Sequence, residues 1–411
     1  MEIKCGLIGE KLSHSYSKKI HEMLGYSYEL YPTKRENLEE FVLNFDYTGM
    51  NVTIPYKKDV MRFCSRISDK ARKIGAVNTL LKSSDGIKGF NTDYFGFCSL
   101  AAKCGISFEK RNVLILGTGG TSKTVYTAVS DGGASKIRFV SRRGELNYEN
   151  VYEKASDAEI IVNTTPSGMF PSIYQKPISL HGFKNLVGVL DVIYNPLRTE
   201  LVTQALGLGL NAGGGLYMLA AQAVLAGEIF TSRKFGAKKI DEIYESLLRD
   251  TENIVLIGMP GCGKSTFARI LAEKTGKTLV DTDAEVVKNE GMSIPDIFLK
   301  FGEKHFRNAE TDVIKKASAE HSRVIATGGG AVLHDENMKA LSQNGRIFFI
   351  NRAADLLPSD GRPLSKSSGA IEKIYSERLP LYRKYADEEI KNDGAVSAAA
   401  AKIISRYNSL F

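Results

Sequence analysis

The run from Asn253 to Thr266, N-I-V-L-I-G-M-P-G-C-G-K-S-T, restricts the possible folds of this chain more than any other stretch. Four apolar residues, Ile254 to Ile257, form a short buried strand, and G-x-x-x-x-G-K-[ST] follows without a gap. A helical pattern starts directly after it at Phe267, Ile270 and Leu271. Strand, glycine loop and helix in that order are the setting of a phosphate-binding loop. Its glycines let successive backbone N–H groups turn inward on an anion, and the helix N-terminus adds partial positive charge. Lys264 is expected to reach the β- and γ-phosphates of ATP, and Ser265 to hold Mg²⁺. Gly261, Cys262, Gly263 and Thr266 complete the cradle. A glycine turn that binds nothing is the plain alternative, and this spacing and context disfavour it. About 250 residues precede the strand, and they read as complete without it.

At 411 residues the chain has room for two or three domains. A net charge of +8 with scattered Lys and Arg suits anionic small molecules. No basic-aromatic module points to nucleic acid. The five cysteines (Cys5, Cys64, Cys98, Cys104 and Cys262) form no C-x-x-C pair and have no zinc spacing, which fits a reduced compartment. Met1 runs into a strand-like segment with no signal-peptide pattern. The most apolar stretch, around Leu216 to Leu225, is too short to span a bilayer. The expectation is a cytoplasmic enzyme with small-molecule substrates and neither nucleic-acid nor membrane partners.

In chain order, Ile3 to Ile8 reads as a strand ending at Gly9. Ser13-His-Ser15-Tyr-Ser17 precedes a helix marked by Ile20, Met23 and Leu24. Those serines are equally readable as helix caps. Gly49-Met-Asn51-Val-Thr53-Ile-Pro-Tyr-Lys57, Ala76-Val-Asn78-Thr-Leu and Gly89-Phe-Asn91-Thr-Asp93 each read as a short strand stopping at Asn or Asp. Ligands of open α/β sheets sit at the carboxyl ends of strands, so several such ends together point to a site.

A second glycine loop, Gly117-Thr-Gly119-Gly120, follows the strand at Val113 to Leu116 and opens a helix running to about Ser130. Gly132-Gly133 stops that helix, and a strand follows from Ile137 to Val140. This βαβ unit fits a dinucleotide fold. An NAD enzyme would carry an acid at the end of the second strand; here Ser141-Arg142-Arg143 stands instead. Two guanidiniums suit a 2′-phosphate by charge and bidentate geometry, so NADP is expected over a merely solvated charge pair. Strands continue at Ile160 to Asn163 and Leu186 to Asp191. Gly213-Gly-Gly215 leads into a long helix carrying Met218, Leu219 and Gln222, and Lys238 to Leu248 forms a further amphipathic helix.

Taken together, H-S-x-S at 14–17, N-V-T-I-P-x-K, A-V-N-T, G-x-N-T-D-x-x-G, G-x-G-G, N-T-T-P-x-G-M and G-L-x-M-L-x-x-Q make residues 1–249 resemble the shikimate dehydrogenases. The resemblance implies that Lys57 and Asp93 form the catalytic pair at the carbonyl being reduced. It also implies that Ser15, Ser17, Asn51, Thr53, Asn78, Tyr194 and Gln222 bind substrate, with Gly215 near the cofactor. Lys18 replaces a usual proline, Ser141 a usual asparagine, and Thr118, Thr121 and Lys123 alter the common glycine loop.

Beyond the phosphate loop, Asp281-Thr-Asp283 ends a strand. The acids could cap a helix, but beside this loop Asp281 is expected in the Mg²⁺ shell and Asp283 on the attacking hydroxyl. Phe306-Arg307-x-x-Glu310, Gly328-Gly329-Gly330-Ala-Val, Arg362-Pro-Leu and Arg378-x-Pro-Leu-Tyr follow, and this order makes residues 252–411 resemble shikimate kinase. The resemblance implies that Arg307 and Arg378 clamp a carboxylate, that Gly329 and Gly330 line the pocket, and that Arg362 swings over the transferring group from a mobile lid. The segment from Ile350 to Arg362 is a few residues shorter than usual in that family.

The expected class is α/β throughout. A substrate lobe over 1–103, completed by helices at about 215–249, precedes a Rossmann-type NADP lobe over 104–214. A P-loop domain of the nucleoside-monophosphate-kinase type covers 252–411. The two resemblances describe consecutive reactions: NADPH-dependent reduction of 3-dehydroshikimate, then ATP-dependent phosphorylation of shikimate. One half as a catalytically idle folding or regulatory partner, and quinate as first substrate, are the alternatives.

Overall fold

Parallel strands buried on both faces need continuous apolar runs, and the chain supplies three groups of them. In the computed structural model, which describes residues 3–12, 15–357 and 370–408, the strands form three sheets. The first contains β1 (Cys5–Gly9), β2 (Tyr28–Pro32), β3 (Gly49–Val52), β4 (Arg66–Ile67), β5 (Thr79–Ser83) and β6 (Gly86–Phe90). Their order is β2-β1-β3-β5-β6-β4. The second contains β7 (Asn112–Leu116), β8 (Lys136–Val140), β9 (Ile160–Asn163), β10 (Gly188–Asp191) and β11 (Asn211–Gly213), in the order β11-β10-β9-β7-β8. The third contains β12 (Asn253–Ile257), β13 (Thr278–Asp281), β14 (Arg323–Ala326), β15 (Gly345–Asn351) and β16 (Glu388–Lys391), ordered β13-β14-β12-β15-β16.

The chain divides into two compact units, Met1–Glu245 and Ser246–Phe411. The first holds the first two sheets and the second holds the third. The helix Gly236–Thr251 carries the chain across that boundary. All pairings of the second and third sheets are parallel. The apolar residues of β7, Val113 to Leu116, and those of β12, Ile254 to Ile257, are accordingly buried at 1 % exposure or less.

One sequence expectation needs correction. Asn78 does not end a strand; it precedes β5, which runs antiparallel to β3, with Asn51 opposite Thr79. The reversal brings the start of β5 beside the end of β3, and β6 runs antiparallel to β5 in turn. Asn51, Asn78 and the Asn91–Asp93 turn therefore share one edge of the sheet. The helix Asp93–Lys103 begins there and packs on the helix Leu216–Thr231. That approach is close enough that a Cβ on Gly96 would lie 2.6 Å from the Met218 carbonyl oxygen.

Candidate active sites

At the shared edge Lys57 Nζ donates to Asp93 Oδ2 at 2.7 Å. Asp93 is the first residue of its helix, where the helix dipole favours a carboxylate. The pair faces a cavity of about 430 Å³ also lined by Ser15, Ser17, Asn51, Thr53, Asn78, Tyr194, Gly215 and Gln222. Every substrate-side residue singled out in the sequence thus lines one space, with Gly215 at its wall. Lys11, Tyr16 and Thr121 line it too and were not anticipated.

Behind the cavity lies a buried polar network. Tyr28 Oη donates to Asn51 Oδ1 at 2.8 Å, and Asn51 Nδ2 donates to Thr79 Oγ1 at 3.1 Å. Asn78 Oδ1 accepts from the Thr92 backbone N–H at 2.7 Å, and Thr92 Oγ1 donates to Gln222 Oε1 at 3.3 Å. Thr79 and Thr92 stand inside the A-V-N-T and G-x-N-T-D-x-x-G runs but were assigned no part from the sequence, and Tyr28 carries no motif.

The second glycine turn borders a cavity of about 1280 Å³ lined by Gly117, Gly119, Ser141, Arg142 and Arg143. Gly117 has φ +100°, left-handed backbone that glycine adopts without strain. A Cβ on Gly119 would meet nothing within 4 Å, so the turn is open on that side. Gly120 opens the helix Gly120–Asp131 and does not line the cavity. A glycine-walled turn at a helix N-terminus with two arginines beside it fits a phosphorylated dinucleotide.

In the second unit a cavity of about 580 Å³ gathers Gly261, Gly263, Lys264, Ser265, Thr266, Asp281, Asp283, Arg307, Gly329, Gly330 and Arg378. Lys264 Nζ donates to the Gly258 and Met259 carbonyls at 2.8 and 2.9 Å. Ser265 Oγ donates to Asp281 Oδ2 at 2.7 Å. Asp281 Oδ1 meanwhile accepts from the N–H groups of Asp283 and Ala284, so Asp281 caps the helix Thr282–Glu290 while it faces the loop. A hydroxyl and a carboxylate in contact at the mouth of a phosphate loop are a hard donor set fit for Mg²⁺. Cys262 is the exception among the loop residues: its side chain is fully buried and does not line the cavity. Its carbonyl accepts from Asn392 Nδ2 at 2.8 Å, and its sulfur lies 3.9 Å from Lys264 Nζ. Arg362 lies outside the described residues.

Two helical segments meeting at Gly302 (φ +84°, ψ 170°) place Phe306, Arg307 and Glu310 on the cavity wall. Arg307 Nη1 donates to Glu310 Oε2 at 2.8 Å, and Arg307 Nη2 to Glu303 at 3.0 Å. Burial pushes the Glu310 carboxyl upward against the pull of Arg307. Arg378 Nη1 and Tyr382 Oη both donate to the Gly329 carbonyl, at 2.9 and 2.6 Å, and so fix the glycine turn opposite the phosphate loop. Glu310 was legible as a motif member, but its part in holding Arg307 follows only from the i, i+3 geometry.

Fold and sites define an enzyme of two parts, a dinucleotide-linked oxidoreductase joined to a P-loop phosphotransferase. The family model of the shikimate dehydrogenase substrate binding domain matches residues 7–80, and that of shikimate kinase matches residues 260–408. The NADP(+) shikimate dehydrogenase of Clostridium beijerinckii is 37 % identical over 258 residues, covering 58 % of this chain and 96 % of that protein. The Clostridium perfringens enzyme is 35 % identical over 263 residues, covering 59 % and 97 %. Among solved structures, a chorismate mutase/shikimate 5-dehydrogenase fusion from Clostridium acetobutylicum superposes with TM-score 0.57 at 36 % identity, covering 60 % of this chain and 97 % of that one. Shikimate 5-dehydrogenase from Thermus thermophilus, in complex with NADP(H) and shikimate, gives 0.54 at 28 % identity, with 59 % and 99 % covered. The chain belongs to the shikimate dehydrogenase family, with a shikimate kinase domain as its second unit, and it takes part in the shikimate pathway.

Proposed function

We propose that this chain performs two consecutive reactions, reduction of 3-dehydroshikimate to shikimate by NADPH and transfer of the ATP γ-phosphoryl group to the shikimate 3-hydroxyl. The observation that carries the reading is the Lys57–Asp93 pair facing a cavity walled by hydroxyl and amide groups, on a chain whose second unit presents an arginine-lined phosphate loop. NADPH, when bound, supplies the hydride. Lys57 then donates a proton to the oxygen that becomes the alcohol, while Asp93 holds its amino group in position. Ser15 and Ser17 take the substrate carboxylate; Asn51, Thr53, Asn78 and Gln222 take the ring hydroxyls, with Tyr194 closing the wall. Gly117 and Gly119, with the N-terminus of the helix that Gly120 opens, hold the pyrophosphate, and Ser141, Arg142 and Arg143 the 2′-phosphate.

ATP with Mg²⁺ supplies the phosphoryl group in the second unit. Ser265 and Asp281 would hold the metal, and Lys264 with the backbone of Gly261 to Thr266 would hold the phosphates. Asp283 orients the attacking hydroxyl and draws off its proton, and Arg307 and Arg378 fix the carboxylate across the pocket beside Gly329 and Gly330. Arg362 is assigned to the transferring group on the resemblance alone. Free thiols at all five cysteines support a cytoplasmic setting, and no helix among the described residues is long and apolar enough to cross a membrane.

Assaying the two reactions separately tests the assignment. Lys57→Ala is expected to abolish oxidoreduction and spare phosphorylation, and Lys264→Ala the reverse. NADPH is expected to outperform NADH. A chain that reduces 3-dehydroshikimate yet forms no phosphorylated product with ATP and Mg²⁺ would sink the two-step reading.

A further inference from the structure

We propose that Asp131 is a positioning residue for the reduction: it ties the far end of the helix that opens at the dinucleotide turn to the helices beside the Lys57–Asp93 pair, and so sets the span across which the hydride passes. This rests on the dehydrogenase reading above, and it concerns a carboxylate to which that reading gives no part.

The helix Gly120–Asp131 joins β7 to β8 of the second sheet. It begins at the glycine turn, and Thr121 in its first turn lines the same cavity as Lys57 and Asp93. Its 12 residues, at about 1.5 Å each, carry it about 18 Å from that wall to Asp131. There Asp131 Oδ2 accepts from Tyr94 Oη at 2.9 Å and from Lys70 Nζ, and Oδ1 accepts from Lys73 Nζ at 2.5 Å. Lys70 Nζ also stands over the Tyr94 ring, 4.6 Å from its centroid. Both lysines belong to the helix Asp69–Ile74, between β4 and β5 of the first sheet, and Tyr94 directly follows Asp93 in its helix. One side chain of a second-sheet helix thus gathers three donors from two other helices.

Nothing local explains an acid at this position. Asp131 is the last residue of its helix, where the dipole disfavours a carboxylate, and the last turn carries no base of its own. The two lysines offset that cost and hold the Asp131 carboxyl well below the usual carboxylate range. Burial lifts the Tyr94 phenol, so it remains a hydroxyl able to donate. The lysine side chains are each 50 % exposed, and a single exposed ion pair contributes little to stability. Three donors on one carboxylate therefore fix an orientation without deciding whether the unit folds. That orientation bears on the chemistry because the dinucleotide turn ends β7, whereas Lys57 and Asp93 stand at the edge of the first sheet. Hydride transfer needs its two carbons roughly 3–3.5 Å apart and aligned, and about 1 Å of misplacement costs on the order of a hundredfold in rate. Asp131 touches no ligand; it acts through the helix whose near end borders the cavity.

Four variants of the full-length chain test this: Asp131→Ala, Asp131→Asn, Tyr94→Phe, and Asp131→Ala combined with Tyr94→Phe. Each is measured in single turnover, with enzyme in excess over NADPH and with 3-dehydroshikimate saturating, using NADPH with and without deuterium at the transferred position. Asp131→Ala is expected to slow NADPH oxidation roughly tenfold to a hundredfold, with an isotope effect no smaller than that of wild type, while KM for either substrate moves far less. Inactive protein, with folded enzyme still in excess, would leave that rate constant unchanged. Asp131→Asn, which can still accept from Tyr94, is expected to fall between wild type and Asp131→Ala, and Tyr94→Phe to show a smaller loss. The combined variant is expected to be no slower than Asp131→Ala, because both changes remove one shared bond. A wild-type rate constant in Asp131→Ala overturns the inference. So does a loss confined to KM, an isotope effect that shrinks, or losses that multiply in the combined variant. If Asp131→Ala does not fold, Asp131→Asn and Tyr94→Phe carry the same comparison. Failure of the wild type itself to reduce 3-dehydroshikimate would instead remove the dehydrogenase reading beneath it.

Discussion

Asp191 ends β10 with no exposed surface and accepts from the Ile193 backbone N–H at 3.0 Å, from Thr199 Oγ1 at 2.8 Å and from Asn163 Nδ2. It anchors the turn from which Val192 and Tyr194 reach the substrate cavity. Burial outweighs those donors and lifts its pKa from 3.8 to about 6. A folded-state pKa above the unfolded value means that the stabilising protonated form is fully present below about pH 4 and lost as pH rises through about 6. A shift of that size corresponds to roughly 3 kcal/mol. Thermal melts of the first unit between pH 4 and 7 are expected to show wild type losing stability relative to Asp191→Asn as pH rises; parallel curves would contradict it. At this scale the sequence disclosed its chemistry unevenly. Lys57, Asp93 and the arginines stand in runs whose spacing carries meaning by itself. Tyr28 does not, because its bond to Asn51 comes from pairing across the sheet, and a chain read linearly does not contain that proximity.

The two glycine turns were the most legible elements, since strand, loop and helix lie in one unbroken run and the apolar strands are buried as such runs require. The edge carrying Asn78 was misread for the converse reason. An antiparallel strand offers its beginning where a parallel one offers its end, and direction is set by partners distant in sequence. The turn at Gly328–Gly330 shows why an element can be fixed by what passes beside it. A Cβ on Gly330 would stand 2.3 Å from Arg307 Nη1, and one on Gly329 would stand 2.5 Å from Pro260 Cδ. Arg307 is held at 9 % exposure against fully buried Glu310, so it has little room to yield. Gly330→Ala is therefore expected to displace the guanidinium from its clamp. Misplacing a positioning group by about 1 Å costs on the order of a hundredfold in rate, so the second reaction should lose that much kcat/KM while the first is untouched. Steady-state kinetics of both reactions on the same preparation check this, and an unchanged phosphorylation rate would show that the clamp has slack.

Each cavity is walled by residues of one unit alone, the first by residues up to Gln222 and the second by residues from Pro260 onward. Each unit also has its own buried cluster; that of the second runs from Ile254 to Tyr407. Among the described residues neither cavity is lined by a side chain of the other unit, so neither proposed site requires that its product be passed on without release. Within the second unit, Lys277 Nζ donates to the Arg249 and Glu252 carbonyls, and Tyr407 Oη donates to the Arg249 carbonyl. The expectation is that a mixture of Lys57→Ala and Lys264→Ala chains converts 3-dehydroshikimate to the phosphorylated product, because shikimate leaves one molecule and enters another. At saturating ATP the flux should rise with the concentration of the Lys57→Ala partner, and an enzyme that consumes free shikimate should intercept the intermediate in the wild type as well. A mixture that stays silent while each variant retains its own reaction would mean that the intermediate does not leave the chain on which it is made, and the case for two self-sufficient sites would have to be replaced by one for direct transfer.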